Sequence, residues 1–329
     1  MKIAIVGAGA IGGFFAARLA STGCEVSMLA RGAALEAIRT HGIRLESEGR
    51  SYAEKVRASD SAAELGVHDL VIPCVKAPAL PAVAAQIAPL VGPATTVVPA
   101  LNGVPWWFFL GGSGPLAGLR LTAVDPDGAI ERALPIERVL GCVVYPACTG
   151  LGPGHVKHSA GNRIVFGEPA GGASDRAREL AALFTKSGLV GEATADIRKE
   201  VWAKLLGNAC FNPVSLITGS STDRLIDDAP LHALFVQMMS ETIALGHKLG
   251  IDVGIDPAAR IAVTRKLGYV KTSMLQDAEA GRVVEIGGIL GTVVEAARAA
   301  GVAVPLLDAV YGLARMRAEV GGLLPATGS

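Results

Sequence analysis

The chain has 329 residues, 50% of them hydrophobic, and its 30 basic side chains balance 30 acidic ones, so the formal net charge is zero. That length is enough for two domains with cores of their own. A neutral chain without a local Lys/Arg cluster lacks the electrostatic footprint of a nucleic-acid partner.

Five cysteines, Cys24, Cys74, Cys142, Cys148 and Cys210, stand singly in apolar or glycine-rich surroundings and form no C-x-x-C pair. They read as small buried hydrophobes in a reducing compartment rather than as a disulfide framework. Met1-Lys2-Ile3-Ala4-Ile5-Val6 runs straight into a strand and a glycine turn, without the apolar core and cleavage site of a signal peptide. The expected location is the cytoplasm. No charged residue occurs between Lys76 and Arg120, but Pro78, Pro81, Pro89, Pro93, Pro99, Pro105 and Pro115 break any membrane-spanning helix there.

Residues 2 to 6 have the short, wholly apolar pattern of a buried parallel strand. Gly7-Ala8-Gly9-Ala10-Ile11-Gly12 follows, and Phe14, Phe15, Ala16, Leu19 and Ala20 then recur at helical spacing. This is G-x-G-x-x-G between a strand and a helix, the context in which its glycines admit a dinucleotide pyrophosphate to a helix N-terminus; a merely tight turn is the alternative. Residues 23 to 32 read as the second strand and its exit. Where an NAD-binding fold usually carries an acid for the ribose 2′-hydroxyl, this chain has Arg31, whose guanidinium suits a 2′-phosphate. An ordinary surface arginine is the competing reading; NADP(H) is favoured over NAD.

A helix is expected at about 34 to 40, with short strands around 44 to 46 and 53 to 58. Buried strands at 69 to 75 and 95 to 101 end at Lys76 and at Asn102-Gly103. Ligands of open α/β sheets sit beyond the carboxyl ends of strands, so Lys76 and Asn102 are candidates, although loop solvation and Asn-Gly turn chemistry also account for them. Pro105-Trp106-Trp107-Phe108-Phe109 is expected to be a hydrophobic anchor or a subunit contact, ahead of direct stacking on a substrate.

Residues 139 to 147 return to strand, and 154 to 158 with 162 to 167 read as an antiparallel pair. His155 and His158 face opposite ways on that strand, and no metal site is expected. A helix at 174 to 187 precedes a change of style near residue 195. From Ile197 onward helical periods dominate, which gives two domains, 1–195 and 196–329. The helical domain and the aromatic run are candidate surfaces for a homodimer.

The helix beginning near 197 is apolar on nearly every side, yet Lys204, Asn208 and Asn212 recur every fourth residue. Each such step turns the face by only about 40°, so the three form one narrow polar stripe on a buried rod. Lys204 either snorkels to solvent or meets a partner, because a buried ammonium without one is costly. Glu285, among Val283, Val284, Ile286 and Ile289, is a carboxylate in want of a cation, which Lys204 is able to supply; a structural ion pair or a solvated helix end is the alternative.

These features together resemble the ketopantoate reductase (2-dehydropantoate 2-reductase) family over essentially the whole chain. The resemblance rests on Gly7-x-Gly-x-x-Gly12, Arg31, Val75-Lys76-Ala77, Leu101-Asn102-Gly103 and Gly154-His155-Val156-x-His158. It continues with Trp202-x-Lys204-Leu205-x-x-Asn208-x-x-x-Asn212-Pro213, Ser273-Met274-Leu275-Gln276-Asp277, Glu285-Ile286 and Gly301-Val302-Ala303-Val304-Pro305. It implies an α/β Rossmann-type dinucleotide-binding domain followed by an all-α domain, as in 6-phosphogluconate dehydrogenase.

It also implies NADPH-dependent reduction of ketopantoate to D-pantoate in pantothenate biosynthesis. By matched position, Lys204 and Glu285 are the catalytic pair, with Lys204 the proton donor. Gly7, Ala8, Gly9, Ala10, Ile11, Gly12, Arg31, Lys76 and Asn102 serve the cofactor. Asn102, Asn208, Asn212, Ser273 and Glu285 serve a small 2-keto acid substrate. The chain departs from the family at Val270, where an asparagine is frequent, in Ala77-Pro78-Ala79 after Lys76, and in a long segment from 105 to 138. Those departures leave open a different 2-keto acid as substrate, and a non-catalytic NADP(H) sensor is the remaining alternative.

Overall fold

The structure, a computed structural model, describes residues 1–325. The chain forms two compact units: Met1–Leu101 with Gly128–Ile197, and Asn102–Asp127 with the chain from Arg198 onward.

In the first unit the elements run β1 (Lys2–Val6), α1 (Ala10–Ala20), β2 (Glu25–Leu29), α2 (Gly32–His41), β3 (Ile43–Ser47), β4 (Arg50–Glu54), β5 (Arg57–Ser59), α3 (Ala62–Leu65), β6 (His68–Pro73), α4 (Leu80–Ile87) and β7 (Val91–Val97). After the excursion into the second unit come α5 (Ala129–Ala133), β8 (Gly141–Val144), β9 (Ala147–Gly152), β10 (His155–Ala160), β11 (Arg163–Gly167), α6 (Asp175–Lys186) and β12 (Val190–Ala193). The main sheet is five-stranded, in the order β5-β2-β1-β6-β7, and every pair is parallel. This is the Rossmann-type arrangement, with β1 at its centre.

The central strands are apolar on both faces because both faces are covered. Ile3, Ala4, Ile5, Leu70, Val71 and Ile72 are buried, as are Phe14, Phe15 and Leu19 of α1. Phe15 meets Phe184 of α6 edge-on, with ring centroids 5.3 Å apart.

Two smaller sheets flank this core, β4-β3-β10-β9 and β12-β11-β8. They correct the expected pairing of 154–158 with 162–167. β10 pairs with β9 and β3, whereas β11 pairs with β8 and β12. Gly161, at φ +71°, turns the chain out of one sheet and into the other. Its backbone packs so closely on the Tyr145 carbonyl that a Cβ there falls 2.8 Å from the oxygen. His155 lies 3.2 Å from the Glu46 carboxylate, while His158 Nδ1 lies 2.9 Å from the Ser47 hydroxyl.

The second unit holds α7 (Ile197–Thr218), α8 (Thr222–Asp227), α9 (Ala229–Lys248), α10 (Pro257–Arg265) and α11 (Ser273–Glu279). A π-helical turn (Gly287–Gly291) then leads into α12 (Thr292–Ala299) and α13 (Pro305–Val320). Among the described residues no helix is long and apolar enough to cross a membrane.

A single boundary near 195 does not describe this division, because Asn102–Asp127 belongs to the second unit. The aromatic run supplies the physical reason. Trp106, Trp107, Phe108 and Phe109 are all buried, and the Phe108 ring lies 5.9 Å from that of Trp202 on α7. The run is therefore interior packing and not a subunit surface. The strand expected at 95–101 begins earlier, as β7, and its last residues leave regular structure. Val98 N–H and Ala100 N–H still donate to the carbonyls of Val71 and Pro73, at 2.8 and 2.9 Å.

One ion pair fastens α6 to the strands of the first unit. Arg176 Nε donates to Glu168 Oε1 at 2.7 Å and its Nη2 to the other carboxylate oxygen, while the guanidinium also reaches the carbonyls of Glu137 and Val139. The hydrogen-bonded guanidinium holds the Glu168 carboxyl below its usual range, against the opposing effect of burial and with help from the Ser174 hydroxyl. A depressed carboxylate contributes its stability above the unfolded-state value, about 4.3, and loses it as pH falls through the folded-state value. Glu168→Gln is expected to cost about 1.5–3 kcal/mol at neutral pH and to flatten the loss of stability on the acid side. Denaturant titrations from neutral to acid pH check this; parallel curves for the two proteins rule it out.

Candidate active site

At the carboxyl edge of the main sheet, each glycine of the first turn has its own physical reason. Gly7 lies at φ +102°, and a Cβ there falls 2.9 Å from Val75 Cγ1, on the segment leaving the neighbouring strand β6. Gly12 brings α1 against the turn: a Cβ there falls 2.0 Å from the Gly7 carbonyl oxygen. Gly9 is different. Its backbone is extended (φ −74°, ψ −174°) and nothing lies within 4 Å of its Cβ position, so neither backbone conformation nor internal packing demands glycine. The space over Gly9 is open to close approach, the arrangement in which backbone can meet a pyrophosphate.

Ala10 and Ile11 open α1, which has no side-chain cap and no acid in its first turn, so its positive end is left for an anion. Ala8 lies between, partly exposed. Arg31 is exposed at the N-cap of α2, two residues past β2, the strand beside β1. Lys76 is partly buried three residues past β6, the other neighbour of β1, at the start of a 3-10 turn. The thiol of Cys74, between them, is pushed far above its ordinary range by burial and stays neutral.

The second unit carries the other group. On α7, Lys204 and Asn208 are partly buried and Asn212 is buried. Lys204 Nζ donates to Asn102 Oδ1 at 2.8 Å. Asn102 was also assigned to the cofactor, and it is the one such residue that falls in the second unit. Trp202 fixes the rotation of α7 about its axis: the indole is fully buried and its Nε1–H donates to the Thr242 carbonyl at 3.1 Å. Residues two apart on a helix point about 200° from one another, so anchoring Trp202 turns Lys204 away from that core.

Glu285 is 9% exposed and immediately precedes the helical stretch that runs from Ile286 through α12. It reaches the neighbourhood of Asn102 through the backbone. Gly103, at φ +81°, sits so tightly on Gly288 that a Cβ there falls 2.0 Å from the Gly288 oxygen, and Val104 N–H donates to that same oxygen at 2.9 Å. The π-helical turn beginning at Gly287 places the Gly288 carbonyl where it accepts both this bond and one from Thr292 Oγ1, at 2.9 Å. Such turns are frequent at functional positions. Ser273 opens α11 as an exposed residue; the Thr272 hydroxyl caps that helix by accepting from Leu275 N–H at 3.2 Å.

Lys204 and Asn102 are thus in direct contact, and Glu285 is tied to them through Gly103 and Gly288. Asn208, Asn212 and Ser273 make no side-chain hydrogen bond among the described residues. Two features were not anticipated. Arg260 packs its guanidinium over Gly207, where a Cβ falls 2.1 Å from Nη2, and a glycine in mid-helix is the signal that points to such a neighbour. Glu295 accepts from Thr122 and Ala123; it is an acid in the apolar run Val293-Val294-Glu295-Ala296-Ala297, the same signal that singled out Glu285.

A family model described as ketopantoate reductase PanE/ApbA matches residues 3–171, and its C-terminal counterpart matches residues 196–318. A 2-dehydropantoate 2-reductase of Mesorhizobium japonicum is 46% identical over 316 residues, 96% of this chain and 97% of that protein. The crystal structure of a candidate ketopantoate reductase from Ralstonia solanacearum MolK2 is 48% identical, with a TM-score of 0.94 over 98% of this chain and 99% of that one. The 2-dehydropantoate 2-reductase of Methylococcus capsulatus gives a TM-score of 0.83 at 30% identity, over 98% of each chain. With a glycine turn shaped for a dinucleotide in one unit and a lysine–asparagine pair in the other, the chain belongs to the ketopantoate reductase family of oxidoreductases, which convert 2-dehydropantoate to pantoate.

Proposed function

We propose that this chain reduces 2-dehydropantoate to D-pantoate with NADPH, as a step of pantothenate biosynthesis in the cytoplasm, and that Lys204 is its general acid. The observation that carries the reading is the 2.8 Å bond from Lys204 Nζ to Asn102 Oδ1, which orients an ammonium on a helix that is otherwise largely buried. The reduced nicotinamide, when bound, supplies hydride to the C2 keto carbon. That transfer leaves negative charge on the keto oxygen. Lys204 stabilises the charge and then delivers a proton to that oxygen, and its amine recovers a proton from solvent.

Asn102 orients the ammonium toward the keto acid. The side-chain amides of Asn208 and Asn212, on the stripe of Lys204 and without a side-chain hydrogen bond among the described residues, bind the polar groups of the keto acid. Ser273 and Glu285 complete that set, with Glu285 holding a substrate hydroxyl and the lysine. Gly7, Ala8, Gly9, Ala10, Ile11 and Gly12 receive the pyrophosphate and Arg31 the 2′-phosphate, and Lys76 also serves the dinucleotide. The exposed setting of Arg31 leaves its guanidinium accessible for that role. If the chain pairs with a second copy, the helical unit provides the surface, since the aromatic run is buried.

A second reading keeps the mechanism and changes the substrate to another 2-keto acid. It is favoured at one position, Val270, whose carbonyl accepts from Thr222 N–H at 2.9 Å while its side chain offers no amide. A spectrophotometric comparison of ketopantoate with other 2-keto acids separates the two.

Lys204→Ala is expected to lower kcat by at least about a hundredfold with little change in NADPH affinity. Undiminished turnover removes Lys204 from the chemistry. For Arg31→Ala the expected outcome is a loss of at least about tenfold in NADPH affinity with NADH nearly unaffected; equal losses refute the 2′-phosphate assignment. Gly9→Ala, in a position with open space around it, is expected to leave the melting temperature within about 2 °C while weakening dinucleotide binding more than about tenfold. Calorimetric binding and thermal scans of the same protein read both quantities, and unchanged binding contradicts the pyrophosphate placement.

A further inference from the structure

The segment Asn102–Asp127 is long and largely irregular, and the reaction as described uses only its first residue. Both of its ends dock on one continuous stretch that starts at Glu285. At the near end, Gly103 and Val104 seat on Gly288 as described. At the far end, the Glu295 carboxylate accepts from Thr122 N–H at 2.8 Å, Thr122 Oγ1–H at 2.7 Å and Ala123 N–H at 3.0 Å. The Ala123 carbonyl oxygen comes within 3.2 Å of where a Cβ on Gly287 would lie. Between these ends, Phe108 packs on Trp202, two residues before Lys204. The segment therefore touches the lysine-bearing helix through Asn102, through Phe108 and through the Ser113 carbonyl, which accepts from Arg198 Nη1 at 2.9 Å, and the glutamate-bearing stretch at both ends.

Resting on the reductase reading above, we propose that Asn102–Asp127 is a brace that sets the position of Lys204 relative to Glu285, and that Glu295 is a positioning residue which latches its far end. A proton donor tolerates little displacement: misplacing a catalytic group by about 1 Å can cost on the order of a hundredfold in rate. Glu295 makes three hydrogen bonds to Thr122 and Ala123, and two of their donors are main-chain amides, so the latch fixes backbone and not merely one rotamer. It also lies where it can be altered without opening a core, because Thr122 and Ala123 are exposed and Glu295 is partly so.

The test is steady-state kinetics of Glu295→Ala and Glu295→Gln beside the unaltered enzyme, with amide hydrogen exchange measured on the same proteins without substrate. Unlatching is expected to lower kcat for ketopantoate about tenfold in Glu295→Ala, with KM for NADPH unchanged within about twofold. Glu295→Gln, which keeps one acceptor oxygen, is expected to recover most of that loss. Exchange is expected to quicken at Val104 as well as at Thr122 and Ala123, because release of the far end loosens the near one. A kcat within twofold of the unaltered enzyme in Glu295→Ala overturns the proposal. So does a glutamine variant no better than alanine, or faster exchange confined to 122–123. Lys204→Ala in the same assay keeps the two readings apart. If it retains turnover, the underlying mechanism fails; if it is inactive while Glu295→Ala is not, only the brace fails.

Discussion

The constraint on which the proposed chemistry depends is the placement of one ammonium group. α7 is buried along nearly its whole length, and a lysine on such a helix has a defined position only if something holds its end. Asn102 does so with a neutral amide oxygen. In the proposed mechanism that bond orients the ammonium toward the negative charge that develops on the substrate. The surrounding order follows from that need. Trp202 fixes the roll of the helix, Gly103 and Gly288 fix the backbone that carries the amide, and the buried thiol of Cys210, pushed far above its ordinary range, adds no competing charge.

The two units apply the same device, close backbone approach, to different ends. In the first, Gly12 lets α1 press on the Gly7 carbonyl so that the helix N-terminus lies just beyond the strand. In the second, Gly103 lets an irregular segment press on the Gly288 carbonyl, so that strand-end and helix-end residues share a neighbourhood. In both places a methyl group would overlap a backbone oxygen, and backbone has no rotamer by which to move aside.

Much of this was legible in the sequence because the relevant signals are local. A strand that is apolar at every position, followed by G-x-G-x-x-G and a helical period, specifies β1, its turn and α1 within a few residues of one another. The every-fourth-residue stripe Lys204, Asn208 and Asn212 needs only the geometry of a helix. What was not legible is the long-range pairing. β10 and β11 are consecutive apolar strands with a short link, which locally describes a hairpin; that they join different sheets is decided by Tyr145 and by partners distant in the chain. The aromatic run gave an apolar signal with no address, because whether it meets Trp202 or another protomer is a tertiary fact. The role of Gly103 was hidden for the same reason, since Asn-Gly has a sufficient explanation as a turn.

The division of the second unit into two stretches of sequence has a consequence for the nascent chain. Trp106, Trp107, Phe108 and Phe109 are synthesised long before Trp202, while the strands on either side, β7 and β8, belong to the first unit. The first unit thus has to assemble around an apolar loop whose partner on α7 does not yet exist, so an aggregation-prone stretch stays open to chaperone capture until α7 is made.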